Sequence, residues 1–145
     1  MQLLKKKKMK NILKTLIIFV LLLISDKAFS QLDSLNYLKN NFEIQKSLYI
    51  NKPFSFLLNN MTQLQPKAAF SHSGTWKRNE RNFTMFCFNF KDACFHNAVT
   101  LQIEWQETIP ASETEYLEKK NSYFFTNDEK TFYGNKIIKN IRVYR

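Results

Sequence analysis

Val99-Thr-Leu-Gln-Ile-Glu-Trp-Gln106 decides the fold of this chain. Val99, Leu101, Ile103 and Trp105 are apolar, and Thr100, Gln102, Glu104 and Gln106 between them are polar. Successive side chains of a strand point to opposite faces, so the pattern predicts a strand with one face in a core and the polar set in water. Upstream, Phe83-Thr-Met-Phe-Cys-Phe-Asn-Phe90 is apolar at both parities, as expected of a strand inside the sheet, covered on both sides. Residues 69–76 read as the strand before it, joined by the charged hairpin turn Lys77-Arg-Asn-Glu-Arg81. Downstream, Lys136-Ile-Ile-Lys-Asn-Ile-Arg-Val-Tyr-Arg145 reads as a last strand with Ile137, Ile141 and Val143 inward. Its lysines and arginines suit a sheet edge.

The flanking segments change period. Leu35, Leu38 and Phe42 recur at helical spacing after Asp33 or Ser34 as N-cap. Pro53 suits the first turn of a second helix, which carries Phe54, Leu57, Leu58 and Met61 and ends before Pro66. Ser112-Glu-Thr-Glu115 and Thr126-Asn-Asp-Glu129 each place an acid three residues after a hydroxyl, the signature of a capping box. Each should start a helix, the first running to Asn121 and the second ended by Gly134 as C′. The expected fold is therefore α+β: two short N-terminal helices, a mostly antiparallel sheet of about four strands, and one or two helices before the last strand, with the helices on one face.

The first thirty residues read differently. Lys5, Lys6, Lys7, Lys8, Lys10 and Lys14 precede the apolar run Leu16-Ile-Ile-Phe-Val-Leu-Leu-Leu-Ile24. Nine residues fall well short of the ~20 that a helix needs to span a bilayer. Ala28-Phe29-Ser30 then places small residues three and one before Gln31. This is the order of a secretory signal peptide, with cleavage expected between Ser30 and Gln31 and the mature single domain at residues 31–145. The first cysteine is Cys87, so no thiol stands at the cleavage point to be acylated. The expected location is outside the cytoplasm, periplasmic or secreted, with no membrane span once the signal is removed.

Removal of the leader changes the charge. Seven of the 22 lysines and arginines and one of the 12 acids lie in residues 1–30, so the net charge falls from +10 to +4 for residues 31–145. No helix-turn-helix pattern or RNP-like strand accompanies the remaining basic residues, and no nucleic-acid partner is expected. Only two glycines, Gly74 and Gly134, occur in the chain, which excludes Gly-rich phosphate loops and dinucleotide fingerprints. About 115 residues bury on the order of 65% of their unfolded surface, enough for one core.

Cys87 and Cys94 are the whole thiol inventory. An exported pair so close in sequence is expected to form a disulfide, provided its Cα atoms lie within about 7 Å. Cys94 and His96 share a face in an extended segment and are the minimum for nucleophilic catalysis, but a catalytic pair also needs an orienting group and an oxyanion site. His72, Cys87, Cys94 and His96 lack the close C-x2–4-C knuckle of structural zinc, so no metal and no cofactor is expected. Glu104 with Glu107, and Glu113, Glu115 and Glu118, read as solvated strand and helix faces rather than as acid–base pairs. Trp105 belongs to the core, whereas Trp76, beside the charged turn, is the aromatic to watch as a contact residue.

The segments Tyr49-Ile-Asn-Lys-Pro-Phe-Ser-Phe-Leu-Leu and Phe132-Tyr-Gly-Asn-Lys-Ile-Ile-Lys-Asn-Ile-Arg-Val-Tyr, together with the leader ending Ala-Phe-Ser-Gln, resemble small exported proteins of Bacteroidota. That resemblance implies a cell-envelope address and no activity. The leading expectation is a non-enzymatic binding domain whose partner is a protein or glycan of the envelope. Two other readings stay open: a small cysteine-dependent hydrolase using Cys94 and His96, marked by a pocket around them, and an inhibitor or immunity-like partner of another exported protein, marked by an exposed apolar patch.

Overall fold

The alternating stretch forms the third strand of a four-stranded antiparallel sheet in the computed structural model, which describes residues 33–74, 76–89, 94 and 96–145. The leader and the expected cleavage position at Ser30 and Gln31 lie outside the described residues. The strands β1 (Ala68–His72), β2 (Glu80–Cys87), β3 (Thr100–Pro110) and β4 (Ile138–Tyr144) are neighbours in chain order. Helices α1 (Ser34–Leu38) and α2 (Phe54–Asn60) precede the sheet, and α3 (Ala111–Lys120) and α4 (Asn127–Gly134) stand between β3 and β4. The fold class is α+β, and Ser34–Arg145 pack as one compact unit.

One sheet face carries the core. Leu101, Ile103 and Trp105 of β3 lie beside Phe86 of β2 and Ile138, Ile141 and Val143 of β4. Leu38 and Phe42 from the first helical segment, Phe54, Leu57 and Met61 from the second, and Tyr133 of α4 cover them. The first segment widens into a π turn over Lys39–Glu43, and this turn carries Phe42 into the core. Phe54 stacks on Phe86 with ring centroids 4.5 Å apart, and Trp105 stacks on Tyr133 at 5.7 Å. Aromatic pairs of this kind add about 1 kcal/mol each beyond their buried area.

Several local expectations shift under tertiary contacts. Thr100, expected in water, is only 6% exposed and sits among Cys87 and Ala98, both buried on the outer face of the sheet. The β1 strand stops at His72, so Trp76 lies in the turn and not in a strand. Pro53 is not in the first turn of α2 but precedes it as N-cap, with extended backbone (ψ 147°). Ser112 does not cap α3, which starts one residue earlier at Ala111 after Pro110, while Glu115 turns to Arg81 at 2.7 Å. Gly134 is the last residue of α4 and Asn135 its C-cap; neither glycine has positive φ. The capping box at Thr126 forms as the sequence predicts: Thr126 Oγ1 accepts from Asp128 N–H at 3.1 Å, and Glu129 accepts from Thr126 N–H at 2.8 Å.

In β4 the inward residues are Ile138, Ile141 and Val143, and Ile137 is 38% exposed. The cause is a register shift between Glu104 and Trp105, where Glu104 faces Asn140 but Trp105 faces Ile138. One extra residue in a strand reverses the side-chain parity beyond it.

Candidate functional site

The same point of β3 is irregular on its other side. Phe83 faces Glu104 and Arg81 faces Ile109, so the four residues Trp105 to Thr108 stand opposite the single Asn82. Such an excursion re-aims side chains and recurs beside functional sites. Here Trp105 stays in the core, and Gln106, Glu107 and Thr108 are exposed in succession, against the alternation of a regular strand.

Gln106 and Glu107 form one wall of a cleft of about 470 Å³. The opposite wall is the C-terminal half of α4, with Thr131 and Phe132, and the turn leading into β4, with Asn135, Lys136 and Ile137. The walls are joined through the backbone, with Gln106 N–H donating to the Ile137 carbonyl at 2.9 Å. Lys136 Nζ sits over the Phe132 ring, 5.0 Å from its centroid, a cation–π contact that holds the ammonium at the cleft. Thr131 donates its hydroxyl to the Asn127 carbonyl at 2.8 Å. The side chains of Gln106, Glu107 and Asn135 make no hydrogen bond to another described residue. The cleft therefore presents two amides, one carboxyl group, a hydroxyl and an ammonium around an aromatic ring. Its size falls in the ordinary range of small-ligand sites.

A second polar group is buried and internally satisfied. Trp105 Nε1 donates to Thr84 Oγ1 at 2.9 Å, Ser71 Oγ bonds Thr84 Oγ1 at 3.0 Å, and Ser71 Oγ bonds Tyr133 Oη at 2.8 Å. Burial pushes the Tyr133 phenol up to about 12, against the opposing pull of its Ser71 and Thr84 hydrogen bonds. Ser71 N–H donates to Glu118 Oε1 at 2.7 Å, and burial raises the Glu118 pKa from its ordinary value, against the opposing Ser71 hydrogen bond. The hydroxyl chain satisfies the polar atoms that an aromatic-rich core encloses.

The sequence candidates are dispersed. The Cα atoms of Cys87 and Cys94 are 5.9 Å apart and their Sγ atoms 2.06 Å apart, so the pair forms the expected disulfide. In this state Cys94 presents no thiol to His96, which is exposed. His72 lies on the outer sheet face, 3.2 Å from the Gln102 amide nitrogen and edge-on to Phe83. Among the described residues no three His, Cys, Asp or Glu side chains gather as metal ligands. Glu104 is engaged by Lys139 at 2.7 Å, whereas Glu107 lines the cleft, so the two carboxylates serve different places. Trp76 is 92% exposed at the tip of the β1–β2 turn.

The sequence reading missed Gln106, Thr131, Phe132, Asn135 and Lys136 as a group. The only local signal is Phe132 beside Tyr133: adjacent helix positions diverge, and Tyr133 is buried whereas Phe132 is only partly buried against the core and also lines the cleft. Among the described residues no helix is long and apolar enough to cross a membrane. Comparison of the chain with protein-family models, with curated proteins and with solved structures finds no match.

Proposed function

We propose that this chain is an exported binding domain of the cell envelope that takes a saccharide in the cleft between the β3 excursion and α4. The observation that carries the reading is that Gln106, Glu107 and Asn135, unspent within the protein, line one cleft together with Phe132. Amide and carboxylate groups are paired donors and acceptors for vicinal hydroxyls, and an aromatic ring packs the apolar C–H face of a pyranose. Each wall adjoins an ordered element: β3 is paired on both sides up to Glu104, Gln106 N–H is tied to the Ile137 carbonyl, and α4 is capped at Thr126, which favours preorganisation of the groups. Export is supported by the cationic and short apolar leader, the small residues before Gln31, and the disulfide.

Two measurements test this. Full-length protein expressed in an envelope-bearing bacterium is expected outside the cytoplasm with Gln31 as its N-terminus; an intact N-terminus in the cytoplasm overturns export. Glycan-array screening followed by titration is expected to give binding that weakens at least tenfold in Asn135→Ala and in Glu107→Gln, with the melting temperature unchanged. Glycan binding that both variants leave intact, or binding to no glycan, overturns the cleft assignment.

A further inference from the structure

The turn between β1 and β2 is braced through its backbone and leaves one large side chain unpacked. Ser73 Oγ and Glu80 N–H both donate to the Lys77 carbonyl, at 3.0 and 3.4 Å. Arg81 Nη1 donates to the Arg78 carbonyl at 2.7 Å, and Ala111 N–H to the Asn79 carbonyl at 2.8 Å. At the base of the turn the Phe83 ring lies across Gly74, where an added Cβ would come within 2.1 Å of Cε2. A side chain at this position would force the Phe83 ring to move. Trp76, held in this frame, is far more exposed than Tyr123, Phe124 or Tyr144 and is the sole apolar side chain in residues 73–80.

An indole is apolar over its rings and polar at its N–H, a combination that settles at the headgroup level of a bilayer. The next two residues are cations. Lys77 is partly neutralised by Glu80 at 3.5 Å, and Arg78 has no ion pair among the described residues. A stable protein interface buries about 800 Å² per partner around an apolar centre. A projecting turn with one ring offers much less, whereas a bilayer accepts a single ring flanked by cations.

We propose that Trp76, with Lys77 and Arg78, is an interfacial membrane contact that seats this turn among the headgroups of an anionic bilayer. The contact is independent of the saccharide cleft.

Tryptophan fluorescence tests it directly, because the chain has only two tryptophans and none in residues 1–30. The other, Trp105, is 3% exposed and bonded to Thr84, so it serves as an internal reference. The full chain is mixed with vesicles of phosphatidylglycerol and phosphatidylcholine carrying brominated acyl chains. Trp76 emission is expected to shift to shorter wavelength, become quenched by bromine and lose its access to iodide. The Trp76→Phe chain, reporting Trp105 alone, should show none of these changes, and Lys77→Glu with Arg78→Glu should return Trp76 to its lipid-free emission. Trp76 that stays open to iodide with vesicles present overturns the proposal. So does quenching that charge reversal leaves unchanged, or protection of Trp76 by a soluble protein and not by lipid.

Discussion

The Glu118 carboxylate accepts the Ser71 backbone N–H at 2.7 Å, and this contact closes one edge of the sheet. Beside it, Ala69 N–H donates to the Tyr123 carbonyl at 3.0 Å and Phe125 N–H to the Lys67 carbonyl at 2.8 Å. At the opposite edge Glu43 does the same work for β4, accepting Val143 N–H at 2.9 Å, while Ile138 N–H donates to the Lys52 carbonyl at 3.0 Å. An unpaired edge is a template for pairing with another chain. In this fold a side-chain carboxylate occupies part of each edge.

Replacing Glu118 separates its acceptor role from its charge. Glu118→Gln keeps an oxygen facing Ser71 N–H and relieves the burial of a charge, so the urea midpoint is expected to move little. Glu118→Ala strands the amide and should cost about 1–3 kcal/mol. Gel filtration should then show association through the opened edge. An alanine variant as stable and as monomeric as the glutamine variant would contradict this role.

The disulfide closes a short loop, seven residues in sequence separation. The chain-entropy estimate for so small a loop is about 2–3 kcal/mol. Replacing Cys87 and Cys94 together by serine should lower stability by that order while leaving far-ultraviolet circular dichroism unchanged. Native protein should react with a maleimide only after reduction.

Tyr133 provides an alkaline signature. Its pKa in the fold, about 12, lies above the value of 10.0 that an exposed tyrosine has. A group raised in this way supports the fold fully below pH 10, and the support is lost as pH climbs toward 12. Ultraviolet titration is expected to show Tyr133 ionising after the other phenols. Tyr133→Phe should abolish that late step and cost about 1 kcal/mol through the lost bond to Ser71.

His72 provides the acid counterpart. Burial, then the Arg81 charge, lowers its pKa below 6.5, and its Nδ1 is buried with no hydrogen-bond partner. The unfolded chain therefore takes up a proton that the folded chain resists. Stability is complete above pH 6.5 and falls as the pH drops toward the folded-state pKa. The decline in urea midpoint between neutral and mildly acidic pH should be shallower in His72→Gln. An identical slope in the variant would remove His72 as its source.

Much of the architecture was legible wherever a short stretch carries its own physics. Leu101, Ile103 and Trp105 share a buried face because a strand repeats every two residues. Thr126 and Glu129 cap α4 because the two side chains need only each other's backbone. Ser112 carries the same motif and fails, because Ala111 N–H is taken by Asn79 and Glu115 by Arg81, partners more than thirty residues away. Ile137 reads as inward from its own segment, yet its parity depends on the register between β3 and β4, which no property of residues 136–145 encodes.

By itself the sequence determined the α+β class, the four strands, α4 and its cap, and the proximity of the two cysteines, all of which rest on periodicity, capping or short chain separation. The tertiary structure decided which residues lie together at the cleft. Gln106 and Glu107 reach it because β3 slips register against both neighbours, and Asn135 reaches it because α4 docks through Tyr133. Those positions are set by packing between distant segments, and contact between distant segments exists only once the chain has folded.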